Sequence, residues 1–260
     1  MRFKDEKPLD NLVGGYSYTS LFRTIGFVGD SLSSGEFEDL MENGERSYYD
    51  MLDYSWGQFI ARKNGLKAYN FSRGGMTAKE YIESFAEKNG FWDKEKACQA
   101  YVIALGENDI INMKGEIGST ADIDKSDYRY NKPTFIGYYA QIVSRYKEIN
   151  PNAKFFFVTF PNNDRHTDKA AVEGMAEALY ELADFVGNAY VIDLYKYGPH
   201  HDEEYFDKYY LLGHLSPAGY LETAKIIDSY IDYIIRHNFE DFKMLGLERP
   251  SADEYILKVD

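Results

Sequence analysis

Five short apolar runs, separated by longer amphipathic stretches, constrain the fold of this chain more than any other feature. Each run is rich in β-branched or aromatic side chains, and most of the runs lack strict alternation of apolar and polar residues. This pattern is typical of strands that are covered on both faces. The predicted strands span residues 24–28, 67–71, 101–105, 155–160 and 190–194.

Helical patterns lie between and after these strands. In the last of them Ala224, Ile227 and Ile231 recur at helical spacing, and Ser216 and Pro217 provide an N-cap and a first helical residue. Strand–helix alternation along the whole chain predicts an α/β/α domain, a five-stranded parallel sheet with helices on both faces. The predicted helices span residues 54–63, 78–88, 134–149, 168–185 and 221–235.

The 260 residues contain no internal repeat and suffice for one large domain. We predict a catalytic domain over residues 1–237, with an N-terminal extension over 1–23, and a C-terminal extension over 238–260. The polar segment 112–133 is expected to form a long loop beside the third strand.

Charge and cysteine content exclude several classes of protein. The net charge of −14 repels phosphate backbones and anionic lipid, so neither nucleic acid nor a membrane is an expected partner. Cys98 is the single cysteine, which rules out an intrachain disulfide. The charged N-terminus lacks the apolar stretch of a secretory signal, which predicts a cytoplasmic protein. The sequence does not indicate an oligomeric state.

Polar and glycine residues follow the predicted strands, where parallel sheets bind their ligands. A serine hydroxyl there could attack an ester if a histidine accepts its proton and N–H donors hold the oxyanion. Such acyl transfer needs no cofactor and no metal. The candidates are Ser31 after the first strand, Gly74 and Gly75 after the second, Asn108 after the third and His214 before the last helix.

Four segments together resemble the GDSL, or SGNH, hydrolases. They read GDSL at 29–32, NFSRGGMT at 70–77, GEND at 106–109 and HLSPAGY at 214–220, in the family's order and at its spacing. The resemblance spans residues 24 to about 235. It implies a flavodoxin-like topology and the hydrolysis of esters.

The resemblance also implies a role for each residue. Ser31 would be the nucleophile and would offer its backbone N–H to the oxyanion, with His214 as general base. Gly75 would give a second donor and Asn108 a third. Gly74 is an alternative to Gly75, which we prefer because the family's glycine stands two residues before the threonine, here Thr77.

One position departs from the family pattern. An aspartate usually stands three residues before the histidine, and this chain has Leu211 there. Asp207, seven residues before His214, is our candidate for the missing carboxylate. The alternative is a Ser–His dyad in which a backbone carbonyl orients the ring.

The expected substrates are small acyl esters, above all acetyl esters on carbohydrates, because aromatic residues suited to sugar stacking precede His214. A lysophospholipase-type esterase is the alternative enzyme, and a carbohydrate-binding pseudoenzyme is the alternative outside catalysis. A nucleotide or phosphate binder has no support, because the chain lacks a Walker loop and a GxGxxG motif. His200 and His201 lack the spacing of metal ligands and are expected in a solvated loop.

Overall fold

The computed structural model describes residues 5–245. Its centre is a five-stranded, all-parallel sheet with the spatial order β4-β1-β5-β6-β7. Two short antiparallel hairpins, β2–β3 and β8–β9, stand apart from this sheet. The strands are β1 (Thr24–Gly29), β2 (Glu36–Leu40), β3 (Arg46–Asp50), β4 (Lys67–Ser72), β5 (Ala100–Ala104), β6 (Lys154–Val158), β7 (Ala189–Ile192), β8 (Tyr210–Leu211) and β9 (His214–Leu215).

The helices cover both faces of the sheet. On one face α2 packs against α9, and on the other α5 packs against α3 and α6. After β5 comes a π-helical stretch, Glu107–Asn112, and the polar segment that follows it contains two short 3₁₀ turns, Thr120–Asp122 and Tyr128–Tyr130. The helices are α1 (Ser31–Ser34), α2 (Trp56–Asn64), α3 (Ala78–Glu80), α4 (Ala86–Lys88), α5 (Phe135–Ile149), α6 (Lys169–Val186), α7 (Leu194–Tyr197), α8 (Glu203–Tyr209), α9 (Pro217–His237) and α10 (Phe239–Phe242).

The predicted fold class is confirmed. Numbered along the chain, the sheet strands have the order 2-1-3-4-5, which is the flavodoxin-like arrangement. All five predicted strands are present, within two residues at either end. A π-helical stretch, Tyr81–Phe85, joins α3 to α4, so the helix predicted over 78–88 also forms.

The register of the sheet brings three strand ends together. Gly29 at the end of β1 lies between Ser72 of β4 and Ala104 of β5. The segments that follow these three residues therefore meet at one edge of the sheet. This edge lies next to the point where the strand order reverses, the usual position of a ligand site in such sheets.

The β2–β3 hairpin was not predicted from the sequence. It follows α1 directly and contacts the small β8–β9 hairpin, so it closes one side of the same sheet edge. Phe37 is buried in the core beside Tyr220, while Glu36 and Glu38 point to the opposite face of the strand.

Both ends of the described chain pack on the domain. Ser17 Oγ donates to Asp228 Oδ1 of α9 at 2.7 Å, and Tyr18 N donates to Asp232 Oδ1 at 2.8 Å. Phe242 of α10 is buried against the sheet. The outer parts of the two predicted extensions, 1–4 and 246–260, lie outside the described residues. Within 5–245, no helix has the length and apolar character needed to cross a bilayer.

Candidate active site

A cavity of about 610 Å³ opens at the carboxyl edge of the sheet. Ser31, Gly75, Asn108 and His214 all line it, so the fold brings the four residues singled out in the sequence to one place. They come from α1, the turn after β4, the segment after β5, and β9. The aligned ends of β1, β4 and β5 bring the first three together, and β9 of the small β8–β9 hairpin adds His214.

Ser31 is the first residue of α1, the single helical turn that follows β1. Asp30 caps this turn, because its Oδ1 accepts a hydrogen bond from Leu32 N at 3.1 Å. Asp30 is buried, and burial raises the pKa of its carboxyl to about 7. The cap fixes the backbone at the serine, so the Ser31 N–H is held at the start of the helix.

Gly75 lies in the turn after β4 with φ of +70°, a conformation that favours glycine. The space beyond its Cα is open. Gly74 is different, because a Cβ at this position would lie 2.2 Å from Glu36 Oε2. Of these two glycines Gly75 lines the cavity, which supports Gly75 as the oxyanion donor.

Hydrogen bonds on both ends of the Asn108 amide fix its orientation. Its Nδ2 donates to Met76 O at 3.1 Å, and its Oδ1 accepts from Asn112 Nδ2 at 3.0 Å. One of the two N–H bonds on Nδ2 therefore remains for a ligand in the cavity. The next residue, Asp109, accepts from Ala78 N at 3.0 Å and so ties this segment to the start of α3. Burial raises the pKa of Asp109 to about 6.

His214 follows a tight turn between β8 and β9. Leu212 in this turn has φ of +56°, a left-handed conformation that is unfavourable for leucine. The His214 Nδ1 lies 3.0 Å from Glu38 Oε2, and Gly213 N donates to the same oxygen at 2.8 Å. Arg46 binds the other oxygen of Glu38.

Glu38 therefore takes the place that the sequence analysis left open, and the hypothesis that Asp207 does so is wrong. Asp207 is exposed on α8, and Leu211 is an exposed residue of β8. The sequence does hold a signal for Glu38. Glu36 and Glu38 flank a buried phenylalanine, so both face the same side of a strand.

Glu38 stays ionised although its side chain is only 1% exposed. Burial alone would raise its pKa, but the hydrogen bonds from His214 and Gly213 and the charge of Arg46 together hold the pKa below its usual value. A charged carboxylate is thus fixed behind the ring of His214.

The other nitrogen of His214 faces a second carboxylate. Its Nε2 lies 3.1 Å from Glu36 Oε1, and within residues 5–245 no hydrogen bond joins it to Ser31. Tyr48 of β3 packs its ring edge-on against the imidazole, with 5.8 Å between the ring centroids. The hairpin β2–β3 therefore contacts His214 through three side chains.

Aromatic side chains form much of the remaining cavity wall. Tyr205, Phe206 and Tyr210 line it, whereas Tyr209 of the same sequence stretch does not. His201 also lines the cavity, and its ring stacks on Tyr205 at 3.9 Å between centroids. Among residues 5–245, no three His, Cys, Asp or Glu side chains are arranged to hold a metal ion.

A family model for GDSL-like lipases and acylhydrolases matches residues 27–221. The chain belongs to this family. It is a serine hydrolase of ester bonds, as the four segments in the sequence had implied. A search of curated proteins found no match to the hydrolase.

Several solved structures share the fold of the hydrolase. A family 2 carbohydrate esterase with a carbohydrate-binding domain, from Corynascus thermopiles (Myceliophthora fergusii), superposes with a TM-score of 0.57 at 15% identity, covering 82% of this chain and 67% of that one. A family 2 carbohydrate esterase from Clostridium thermocellum, in complex with cellohexaose, superposes with a TM-score of 0.56 at 18% identity. The match covers 89% of this chain and 67% of that one. A lipase/acylhydrolase from Enterococcus faecalis superposes with a TM-score of 0.51 at 16% identity, and the match covers 83% of this chain and 96% of that one.

Proposed function

We propose that the hydrolase removes short acyl groups, above all acetyl, from carbohydrate hydroxyls through a Ser31–His214–Glu38 triad. The observation that carries the proposal is the buried Glu38 carboxylate on His214 Nδ1, in a cavity that also contains Ser31, Gly75 and Asn108. Acyl transfer requires a nucleophile, a base with its carboxylate and donors for the oxyanion at one site.

The reaction proceeds in two steps. Ser31 Oγ attacks the ester carbonyl while His214 Nε2 takes its proton, and Glu38 stabilises the imidazolium through Nδ1. The oxyanion binds to the N–H groups of Ser31 and Gly75 and to the free N–H of Asn108. His214 then gives its proton to the leaving alcohol. Water, activated by the same nitrogen, releases the acid from the serine.

The carbohydrate part of the proposal rests on the cavity wall and on the structural neighbours. Tyr205, Phe206 and Tyr210 offer apolar rings, and the two tyrosines add a hydroxyl, which suits contact with sugar rings. Neighbours with the same fold are described as carbohydrate esterases, one of them in complex with cellohexaose.

A fluorophosphonate probe tests the catalytic assignment. We expect covalent labelling of Ser31 alone, with loss of labelling in His214→Ala and in Ser31→Ala. Asp207→Asn serves as the control and should label like the wild type. An unlabelled wild-type protein that still binds oligosaccharide would support the pseudoenzyme and overturn the proposal.

A series of nitrophenyl esters of increasing chain length tests the acyl group. We expect kcat/KM to be highest for the acetate and to fall beyond the butyrate. An optimum at longer chains would instead support a lysophospholipase-type esterase. Release of acetate from acetylated xylan or cello-oligosaccharides then tests the alcohol part.

A further inference from the structure

The carboxylate of Glu36 lies in the cavity of the proposed catalytic site. Its Oε1 lies 3.1 Å from His214 Nε2, the nitrogen that must take the proton of Ser31. Its Oε2 lies against Gly74, the residue before the proposed oxyanion donor Gly75. Glu36 therefore stands between the base and the oxyanion hole, where the ester of a substrate has to enter.

This arrangement pairs the proposed base with a second carboxylate. Glu36 and Glu38 face opposite nitrogens of one imidazole, and carboxylates only accept hydrogen bonds. Nδ1 is hydrogen-bonded to Glu38, whereas Nε2 lies within ion-pair distance of Glu36. Burial raises the pKa of Glu36, His214 opposes this, and the charges of Asp50 and Glu38 add to it. While Nε2 faces Glu36 at this distance, no hydrogen bond among residues 5–245 joins it to Ser31.

Among residues 5–245 the Glu36 carboxylate has no second charged partner to turn to. Its side chain is only 16% exposed, and within residues 5–245 its ion-pair partner is His214, with no lysine or arginine in range. Asp50 lies directly opposite it on β3 and repels it. If His214 turned to Ser31, Glu36 would be left as a mostly buried acceptor without a donor, which is unfavourable.

We propose that Glu36 selects substrates that carry a free hydroxyl beside the ester. In the complex this hydroxyl donates to the Glu36 carboxylate in place of His214, and His214 Nε2 becomes available to Ser31. Esters without such a hydroxyl leave Glu36 on the imidazole and react slowly. The inference rests on the proposed function and names the part of the alcohol that the site recognises.

A matched pair of substrates tests this inference. Propyl acetate and glycerol 1-acetate have the same acyl group and carbon skeleton and differ only in the two hydroxyls beside the ester. We expect the wild type to prefer glycerol 1-acetate, and Glu36→Ala to lower the ratio of the two kcat/KM values by about tenfold or more. Because the readout is a ratio, partial misfolding of a variant does not affect it.

Two further variants sharpen the test. Asp39→Asn, an exposed acid of the same strand, should keep the wild-type ratio. Gly74→Ala should lower the ratio as Glu36→Ala does, because the added methyl displaces the flexible end of Glu36. A ratio that changes by less than about twofold in both Glu36→Ala and Gly74→Ala overturns the inference. A wild type that cleaves neither ester and takes no label at Ser31 contradicts the proposed function itself.

Discussion

An acidic residue that orients a catalytic imidazole must accept a hydrogen bond from the ring and still keep its negative charge. Glu38 meets both conditions, since Gly213 N and Arg46 share its carboxylate with His214. These donors lower the pKa of Glu38 against the effect of burial. The carboxylate is therefore ionised when the ring acquires its second proton during the reaction.

Glu38→Gln should lower kcat by about 10³- to 10⁴-fold, because an amide cannot stabilise the imidazolium and can hold the wrong tautomer. Asp207→Asn should leave kcat unchanged. Steady-state kinetics on nitrophenyl acetate check both variants. The reverse result, a loss in Asp207→Asn and none in Glu38→Gln, would restore Asp207 as the acidic residue.

Asp30→Asn should change how stability depends on pH. The folded chain holds the Asp30 proton up to about pH 7, whereas the unfolded chain releases it above its ordinary pKa of 3.8. Between these values the folded state binds more protons, so Asp30 lowers the free energy of unfolding as pH rises. Asparagine caps the helix equally well without titrating.

Urea unfolding at pH 5, 6 and 7 measures this effect. The difference in unfolding free energy, variant minus wild type, should increase by about 1.4 kcal/mol per pH unit in this range. A difference that stays constant with pH would show that Asp30 titrates outside the range.

At the scale of elements, the β2–β3 hairpin explains how one imidazole meets two carboxylates. Residues two apart on a strand face the same side at a separation of roughly 6.5 Å. Glu36 and Glu38 are such a pair, and the ring of His214 lies between their carboxylates, 3.1 Å and 3.0 Å away. A single strand thus places both groups, the one that supports the base and the one that competes with Ser31.

The hairpin also marks the limit of what the sequence predicted. The main strands and the four motifs are local patterns, so both could be read directly from neighbouring residues. The contact of Glu38 with His214 joins residues 176 positions apart and depends on a five-residue strand outside the main sheet. The alternation in that strand is too short to separate it from a loop.

Leu212→Asn should stabilise the protein. The left-handed conformation of Leu212 in the β8–β9 turn is unfavourable for a branched side chain and acceptable for asparagine, and Leu212 is exposed. We expect the free energy of unfolding to rise by about 0.5–1 kcal/mol in urea titrations. Leu211→Asn, on the neighbouring exposed residue without positive φ, should give no gain; an equal gain in both would remove backbone strain as the cause.

At the scale of the whole molecule, the two ends of the described chain meet on one face of the sheet. The ring of Phe242 from α10 lies 5.2 Å from Tyr190 of β7 and 6.3 Å from Phe22, measured between centroids. Phe22 precedes β1 and itself packs on Phe156 of β6. Phe22 and Phe242, one from each predicted extension, therefore share the core of the domain.

Phe242→Ala tests whether the predicted domain boundary at residue 237 is also an energetic boundary. The side chain is 1% exposed, so its removal leaves a cavity between the sheet and α10. We expect a loss of about 3–5 kcal/mol of unfolding free energy in a single cooperative transition. Met244→Ala, on an exposed residue near the same end, should change it by less than about 0.5 kcal/mol. A large loss of unfolding free energy in Phe242→Ala alone makes α10 part of the folding unit. If both variants instead changed the unfolding free energy by equally small amounts, the residues after 237 would not contribute to the stability of the domain.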